Sequence, residues 1–353
     1  MIILGIESSC DETAVGIVRD GNELLANTVA SSMDLHAKYG GVIPEIAARS
    51  HIEAIIPVVD QALEQANVTW DDIDGIAVTY GAGLLGSLLI GVLTARTLAI
   101  VHDKPLYAIN HVEAHLYVNF ITKSHLPEIK PRQAQPAFPM LGIIVSGGHS
   151  QLVLFQDHFD YVLLGQTQDD AIGEAYDKVA KMIGMPYPGG INVSIMAEKG
   201  DVKAYRLPKA RLTGKYDFSF SGLKTAVLRL SQQLVGKDHT LPSGALPELL
   251  NDDQKRDICA SFAQVASETI VDKALLAVEE FKPASVIIGG GVAANTQLRR
   301  NLAERLNLPI EYPDMKLCGD NGAMIATLGC FKAMNGAPQA DPYTLEVAPS
   351  LSM

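Results

Sequence analysis

The chain opens on an apolar run, Ile2-Ile3-Leu4-Gly5-Ile6, meets Glu7 and a polar turn from Ser8 to Thr13, and resumes as Ala14-Val15-Gly16-Ile17-Val18. Short apolar runs rich in β-branched residues on either side of small polar residues read as strand, turn, strand. The pattern returns at Leu141-Gly142-Ile143-Ile144-Val145, then Ser146-Gly147-Gly148-His149-Ser150, then Gln151-Leu152-Val153-Leu154-Phe155, about 137 residues further on. Repetition of a whole unit predicts an internally duplicated domain. A third strand, Ser285-Val286-Ile287-Ile288, runs into Gly289-Gly290-Gly291 and a helical period through Leu298, Leu302 and Leu306. Helical spacing also covers residues 44–65, 84–101, 171–183 and 253–281. Strands alternating with helices predict an α/β architecture.

At 353 residues the chain is long enough for two domains. Pro127, Pro131, Pro136 and Pro139 block regular structure, so residues 125–140 read as the linker. A first lobe of residues 1–124 plus about 320–345, and a second of 141–319 with a basic insertion at about 199–237, are expected. Residues 75–95 carry no charge, yet Tyr80-Gly81-Ala82-Gly83 interrupts them. They read as a strand, a glycine turn and a buried helix, not a membrane span. Glu7 arrives before any secretory apolar stretch, and four scattered cysteines read as reduced thiols, so a cytoplasmic protein is expected.

Composition excludes intrinsic disorder, with 48% hydrophobic and 19% charged residues. A net charge of −12 excludes non-specific coating of nucleic acid. The charge is uneven, however. Residues 199–237 hold nine Lys or Arg against Asp201 and Asp217, a net +7, with Tyr205, Tyr216, Phe218 and Phe220 interleaved. Such a segment can hold phosphates and stack an unpaired base, or can be an ordinary solvated surface.

Three glycine-rich turns after strands suit a phosphate or nucleotide gripped by backbone N–H groups. The most chemical stretch is His111-Val112-Glu113-Ala114-His115. On a helix its two imidazoles share a face and can reach one ion, while Glu113 points away. A metalloprotease of the H-E-x-x-H kind needs its Glu beside the first His, so this order does not suit it. Asp320, in Cys318-Gly319-Asp320-Asn321-Gly322-Ala323, could complete a ligand set, although helix capping is the simpler reading of that residue.

The paired hairpin loops and the strand, Gly-Gly-Gly, helix unit resemble the actin, Hsp70 and sugar-kinase (ASKHA) superfamily. A closer resemblance is to the TsaD/Kae/YgjD family of tRNA adenosine threonylcarbamoyltransferases, once labelled glycoproteases. It is carried by Arg96, Pro105 and His111 to Leu116, by residues 5–13, by Tyr39-Gly40-Gly41-Val42-Ile43-Pro44-Glu45, and by Val145 to His149. It continues in Gly173-Glu174-Ala175-Tyr176-Asp177-Lys178, Tyr187-Pro188-Gly189-Gly190, residues 217–225, residues 289–295 and Asp320-Asn321-Gly322-Ala323-Met324, and covers nearly the whole chain.

The resemblance implies a two-lobed fold of duplicated ribonuclease H-like domains. It implies transfer of threonylcarbamoyl from threonylcarbamoyl-AMP to the exocyclic amine of the adenosine 3′ to the anticodon in tRNAs reading ANN codons, with release of AMP. His111, His115 and Asp320 would hold one divalent ion, iron first and zinc second. Val145, Ser146, Gly147, Gly148 and His149 would hold the donor, Asp177 and Gly190 would face its nucleoside, and Asn295 would lie near the adenylate. Ser194 stands where many relatives carry Asp. Asp11 and Glu12, with His149, are candidates for taking the amine proton, and Lys209, Arg211, Lys215 and Lys224 for holding tRNA. Implied partners are a TsaB-like paralogue, a TsaE-like ATPase and a TsaC/Sua-type synthase that makes the donor. A glycoprotein endopeptidase and a nucleotide-dependent kinase or binding module are the rival readings.

Overall fold

The computed structural model describes the whole chain apart from residues 307, 309 and 311. It divides into two compact units, Met1–Pro136 with Glu311–Met353, and Ala137–Ile310. Of the stretch 125–140 read as a linker, the part up to Pro136 belongs to the first unit.

The first unit is built on strands β1 (Ile2–Glu7), β2 (Glu12–Arg19) and β3 (Glu23–Ser31), followed by helices α1 (Met33–Ala37) and α2 (Pro44–Ala66). Strand β4 (Gly75–Gly81), helix α3 (Leu85–Val101), strand β5 (Leu106–Asn110), helix α4 (His111–Tyr117) and a short β6 (Lys123–Ser124) complete its N-terminal part. The sheet runs β5-β4-β1-β2-β3-β6, with β1, β2 and β3 antiparallel and β4 parallel to β1. Alternation along the strands sorts the two faces. Leu4, Ile6, Val15, Ile17, Ile76 and Val78 join Ile55, Val59, Val92 and Ala95 of α2 and α3 in one buried core. The opposite face is reduced to small residues at its centre, among them Gly5, Ala14, Gly16 and Ala77. Gly5 pairs with Gly16 across β1 and β2, and the C-terminal helix of this unit lies directly on them. A Cβ at Gly322 would fall 1.9 Å from the Gly16 nitrogen.

The second unit repeats the plan. Strands β7 (Met140–Val145), β8 (Ser150–Asp157) and β9 (Asp160–Gln166) are followed by helices α5 (Ile172–Met182), α6 (Gly189–Ala197), α7 (Ser221–Leu234), α8 (Leu246–Leu249) and the long α9 (Asp252–Phe281). Strand β10 (Ser285–Gly289) and helix α10 (Thr296–Arg305) follow, and α11 (Gly322–Met334) is the helix that returns to the first unit. The second sheet runs β10-β7-β8-β9, again with three antiparallel strands and a fourth parallel to the first. An isolated parallel bridge from Val286 to Ile310 stands where a counterpart of β5 would lie. The duplication expected from the two strand-turn-strand repeats is therefore present in the topology. Both third strands, β3 and β9, escape the sequence reading. Polar residues interrupt their apolar pattern, and β9 is half exposed. Among the described residues no helix is long and apolar enough to cross a membrane.

Candidate metal centre and donor loops

Helix α4 starts at His111 because Asn110 caps it, its side-chain oxygen accepting from the Val112 and Glu113 amides at 2.8 and 3.4 Å. Asn110 in turn donates to the Ser352 carbonyl at 3.1 Å, so the C-terminal tail braces this turn. One helical turn separates His111 from His115, which brings their rings to 4.7 Å between centroids. Both Nε2 atoms face Oδ1 of Asp320, at 3.6 Å from His111 and 3.4 Å from His115. The three ligand atoms lie within 4.8 Å of one another. The capping reading of Asp320 gives way here, because the cap of α11 is Asn321, whose Oδ1 accepts from the Met324 amide at 3.0 Å. Two imidazoles and a carboxylate with room for further ligands suit iron or zinc.

Acidic groups ring this cluster. Glu12, at the start of β2, accepts from the Ser31 hydroxyl at 3.2 Å. Burial, then the charges of Asp320 and Asp11, push its carboxyl up to about 9. Burial likewise raises Asp320 to about 6, against the pull of His111. Such crowding of carboxylates is relieved by a cation. Glu113 is buried away from the cluster, and burial raises its carboxyl to about 7. It is not placed as a base beside an ion, which counts against the protease reading. Behind the cluster lies Glu7, a fully buried carboxylate that the sequence reading passed over. Its signal was available, since a charge closing an otherwise apolar strand needs a partner.

In the second unit, Val145 ends β7 and the turn Ser146–Ser150 closes on itself. The Ser146 amide donates to the His149 carbonyl at 2.8 Å and the His149 amide to Ser146 Oγ at 3.1 Å. The first turn of α5 seats on it, Gly173 and Glu174 donating to the carbonyls of Ser146 and Gly147 at 3.2 Å each. A Cβ at Gly147, Gly148 or Gly190 would meet no atom within 4 Å, so nothing in this unit fills the space that these glycines leave. Gly290 differs. Its φ of +96° and a would-be Cβ 2.4 Å from the Val145 carbonyl make it a packing requirement.

Asp177 Oδ1 accepts from the amides of Gly189 and Gly190 at 2.8 and 3.3 Å, and so fastens the start of α6. Ser194 donates to the Gly190 carbonyl at 2.7 Å and accepts from Asn295 at 2.9 Å. Asn295 also caps α10 through the Leu298 amide at 2.9 Å. Ser194 and Asn295 border a cavity of about 460 Å³ whose polar lining includes Glu198, Thr296, Gln297 and Arg300.

Three of the four residues expected to hold tRNA are already ion-paired. Lys209 is paired with Glu268 at 2.6 Å and Asp272 at 2.8 Å, Lys215 with Glu280, and Lys224 with Asp170 at 2.5 Å. Acidic positions of α9 thus occupy two of the nine cations and Asp170 a third, which a count along the chain cannot register. Arg211 is exposed and, among the described residues, in no ion pair.

Two units of one strand plan, each with a polar turn after its first strand, residues 8–11 in the first and 146–149 in the second, have the ASKHA-type fold. Among solved structures of similar fold are full-length HypF in its phosphate- and nucleotide-bound form, at TM-score 0.58 and 14% identity over 94% of this chain and 55% of that one. Another is the (R)-2-hydroxyglutaryl-CoA dehydratase component A of Acidaminococcus fermentans, at TM-score 0.50 and 16% identity over 95% and 99% of the two chains. The family model described as TsaD, tRNA N6-adenosine threonylcarbamoyltransferase, matches residues 23–327. Curated relatives carrying that same name are 47% identical in Thermomicrobium roseum, over 95% of this chain and 93% of the relative, and 48% in Protochlamydia amoebophila, over 94% and 93%. A Dehalococcoides mccartyi relative of that name aligns over 100% of this chain and 99% of its own at 42% identity. The chain belongs to the TsaD family of transferases.

Proposed function

We propose that the chain moves the threonylcarbamoyl group from threonylcarbamoyl-AMP to N6 of the adenosine 3′ to the anticodon in tRNAs reading ANN codons. The observation that carries the site assignment is the convergence of His111, His115 and Asp320 within 4.8 Å in a chain of this family. The amine nitrogen attacks the carbamoyl carbon, the bond from that carbon to the phosphate oxygen breaks, and AMP leaves with the electron pair. A divalent ion, iron or zinc, held by the three ligands would supply Lewis acidity and balance negative charge on the leaving phosphate. The amine proton is assigned to the Asp11 and Glu12 pair, and to Asp11 first, because a Glu12 carboxyl raised to about 9 already holds its own proton at neutral pH. The Gly147 and Gly148 amides orient the donor phosphate, the open glycines letting it approach the backbone. Ser194, Gly190 and Asn295, which border or adjoin the cavity, take the nucleoside, with Asp177 setting the start of α6.

The fit with partners rests on a surface. Leu85, Leu89 and Leu93 recur every four residues along the outer side of α3, and Ile52 and Ile56 are exposed on α2, which packs against it, with Leu85 61% and Ile52 60% exposed. Exposed apolar rows of this kind on packed helices mark a protein contact. A TsaB-like paralogue is the occupant proposed. A TsaE-like ATPase and a TsaC/Sua-type synthase complete the cytoplasmic pathway. The test supplies threonine, bicarbonate, ATP, the synthase, the partners and unmodified tRNA, and measures threonylcarbamoyladenosine by nucleoside mass spectrometry. Product that forms equally well with His111→Ala and His115→Ala together refutes the metal assignment. No product with the wild-type chain refutes the reaction.

A further inference from the structure

Glu7 ends β1 fully buried from solvent. A buried carboxylate is costly unless each oxygen is satisfied, and here each is. Oε1 accepts from the Ser9 amide at 2.6 Å. Oε2 accepts from the Thr79 hydroxyl at 2.5 Å and from Nδ1 of His111 at 3.1 Å. Ser9 Oγ lies 3.2 Å from the same Nδ1. These contacts come from the turn after β1, from β4 and from α4, so three segments converge on the carboxylate that β1 presents.

The consequence lies on the other side of the ring. A carboxylate can only accept, so the hydrogen bond to it requires a proton on Nδ1. In the neutral imidazole this leaves the lone pair on Nε2, the nitrogen turned toward Asp320 at 3.6 Å. We propose that Glu7, held by Ser9 and Thr79, is a positioning residue that fixes His111 as the Nδ1–H tautomer, so that metal affinity depends on a carboxylate that never touches the ion. The proposal rests on the metal reading above. A negative partner also makes the ligating nitrogen more basic, and loss of such a partner commonly weakens binding by about 10- to 100-fold.

The experiment uses the full chain and measures Zn²⁺ affinity by competition with a chromophoric chelator, alongside the thermal midpoint of the metal-free protein. Glu7→Gln keeps the size of the side chain and removes its charge, and a loss of affinity of about 10- to 100-fold is expected. Thr79→Val removes one anchor of Glu7 while leaving its contact with His111, and a smaller loss is expected. A purely structural role lowers the midpoint and leaves affinity unchanged, and that result overturns the proposal. Should Glu7→Gln not fold, ¹⁵N-histidine spectra of the Zn²⁺-loaded wild-type chain decide. A proton on Nδ1 of His111 with Nε2 ligated is the expected state, and ligation through Nδ1 overturns the proposal. Wild-type protein that binds no Zn²⁺ refutes the metal reading itself, a result distinguishable from unchanged affinity in the variant.

Discussion

At the residue scale, buried polar groups behind the metal cluster decide its geometry, and histidines serve there in two ways. His111 and His115 turn nitrogens toward Asp320, whereas His51 is structural. It is buried in α2, with Nε2 3.0 Å from the Cys10 carbonyl and Nδ1 2.8 Å from the Thr13 hydroxyl, so it clasps both ends of the turn that carries Asp11 and Glu12. Burial, only partly offset by the Cys10 carbonyl and nearby carboxylates, lowers its proton affinity below the usual imidazole value. The folded form thus binds fewer protons than the unfolded chain just below pH 6.5, and His51 contributes stability that is full above that value and lost as pH falls. His51→Gln is expected to cost about 1–3 kcal/mol at pH 8. Its urea midpoint should also fall less than that of wild type between pH 8 and pH 5, and parallel pH profiles of the two proteins would remove His51 from this account. The imidazole pair at helical spacing was legible in the sequence. The choice for Asp320 was not, because a carboxylate before a helix is a cap or a ligand according to where a distant helix lies, and Asn321 takes the cap.

Elements place those residues through backbone contact as much as through side chains. Helix α11 carries Asp320 just ahead of its first turn and lies on β1 and β2 where Gly5, Gly16 and Gly322 remove every intervening Cβ. Gly322→Ala is expected to cost about 3 kcal/mol or more, since its Cβ would meet backbone that cannot rotate away. Displacement of α11 moves Asp320, so Zn²⁺ affinity should fall with the thermal midpoint, and a variant of unchanged affinity would show the close approach to be dispensable. The apolar strands and long helices were readable from periodicity because packing reinforced propensity. The meaning of the basic insertion was not, because its partners Glu268, Asp272 and Glu280 are presented by α9, some fifty to seventy residues away in sequence. Exposed pairs of this sort contribute at most about 1 kcal/mol. Their main effect is to occupy the cations. Lys209 and Lys215 are therefore expected to matter less to tRNA than Arg211. Arg211→Ala should weaken tRNA binding and flatten its salt dependence, whereas Lys209→Ala should change it little. Equal losses in filter binding across a salt series would return the pairs to the tRNA surface.

For the whole molecule the question is which surfaces are left for partners once each unit has closed its own core. The first part of helix α3 is apolar inside and out: Leu88 and Val92, like Ala95 and Ala99 further on, are buried, while Leu85, Leu89 and Leu93 stay exposed. A helix this apolar on its solvent side is stable in water chiefly when something covers it. The uncharged stretch 75–95 was readable as a strand and a helix, but sequence alone could not say that only one face of that helix is buried. Leu89→Glu together with Leu93→Glu places charges on the exposed face and leaves Leu88 and Val92 in the core. The metal-free thermal midpoint should stay within about 1 kcal/mol of wild type in equivalent stability, as expected for surface substitutions. Association with the TsaB-like paralogue, followed by light scattering behind a sizing column, should fall by at least about tenfold, because two charges would be desolvated at the centre of the contact. Zn²⁺ affinity should be unchanged, since neither residue is among the cluster's ligands. A double variant that still binds the paralogue with wild-type affinity would leave this face to a second copy of the chain, and the same sizing experiment without the paralogue reads that out as loss of a dimer.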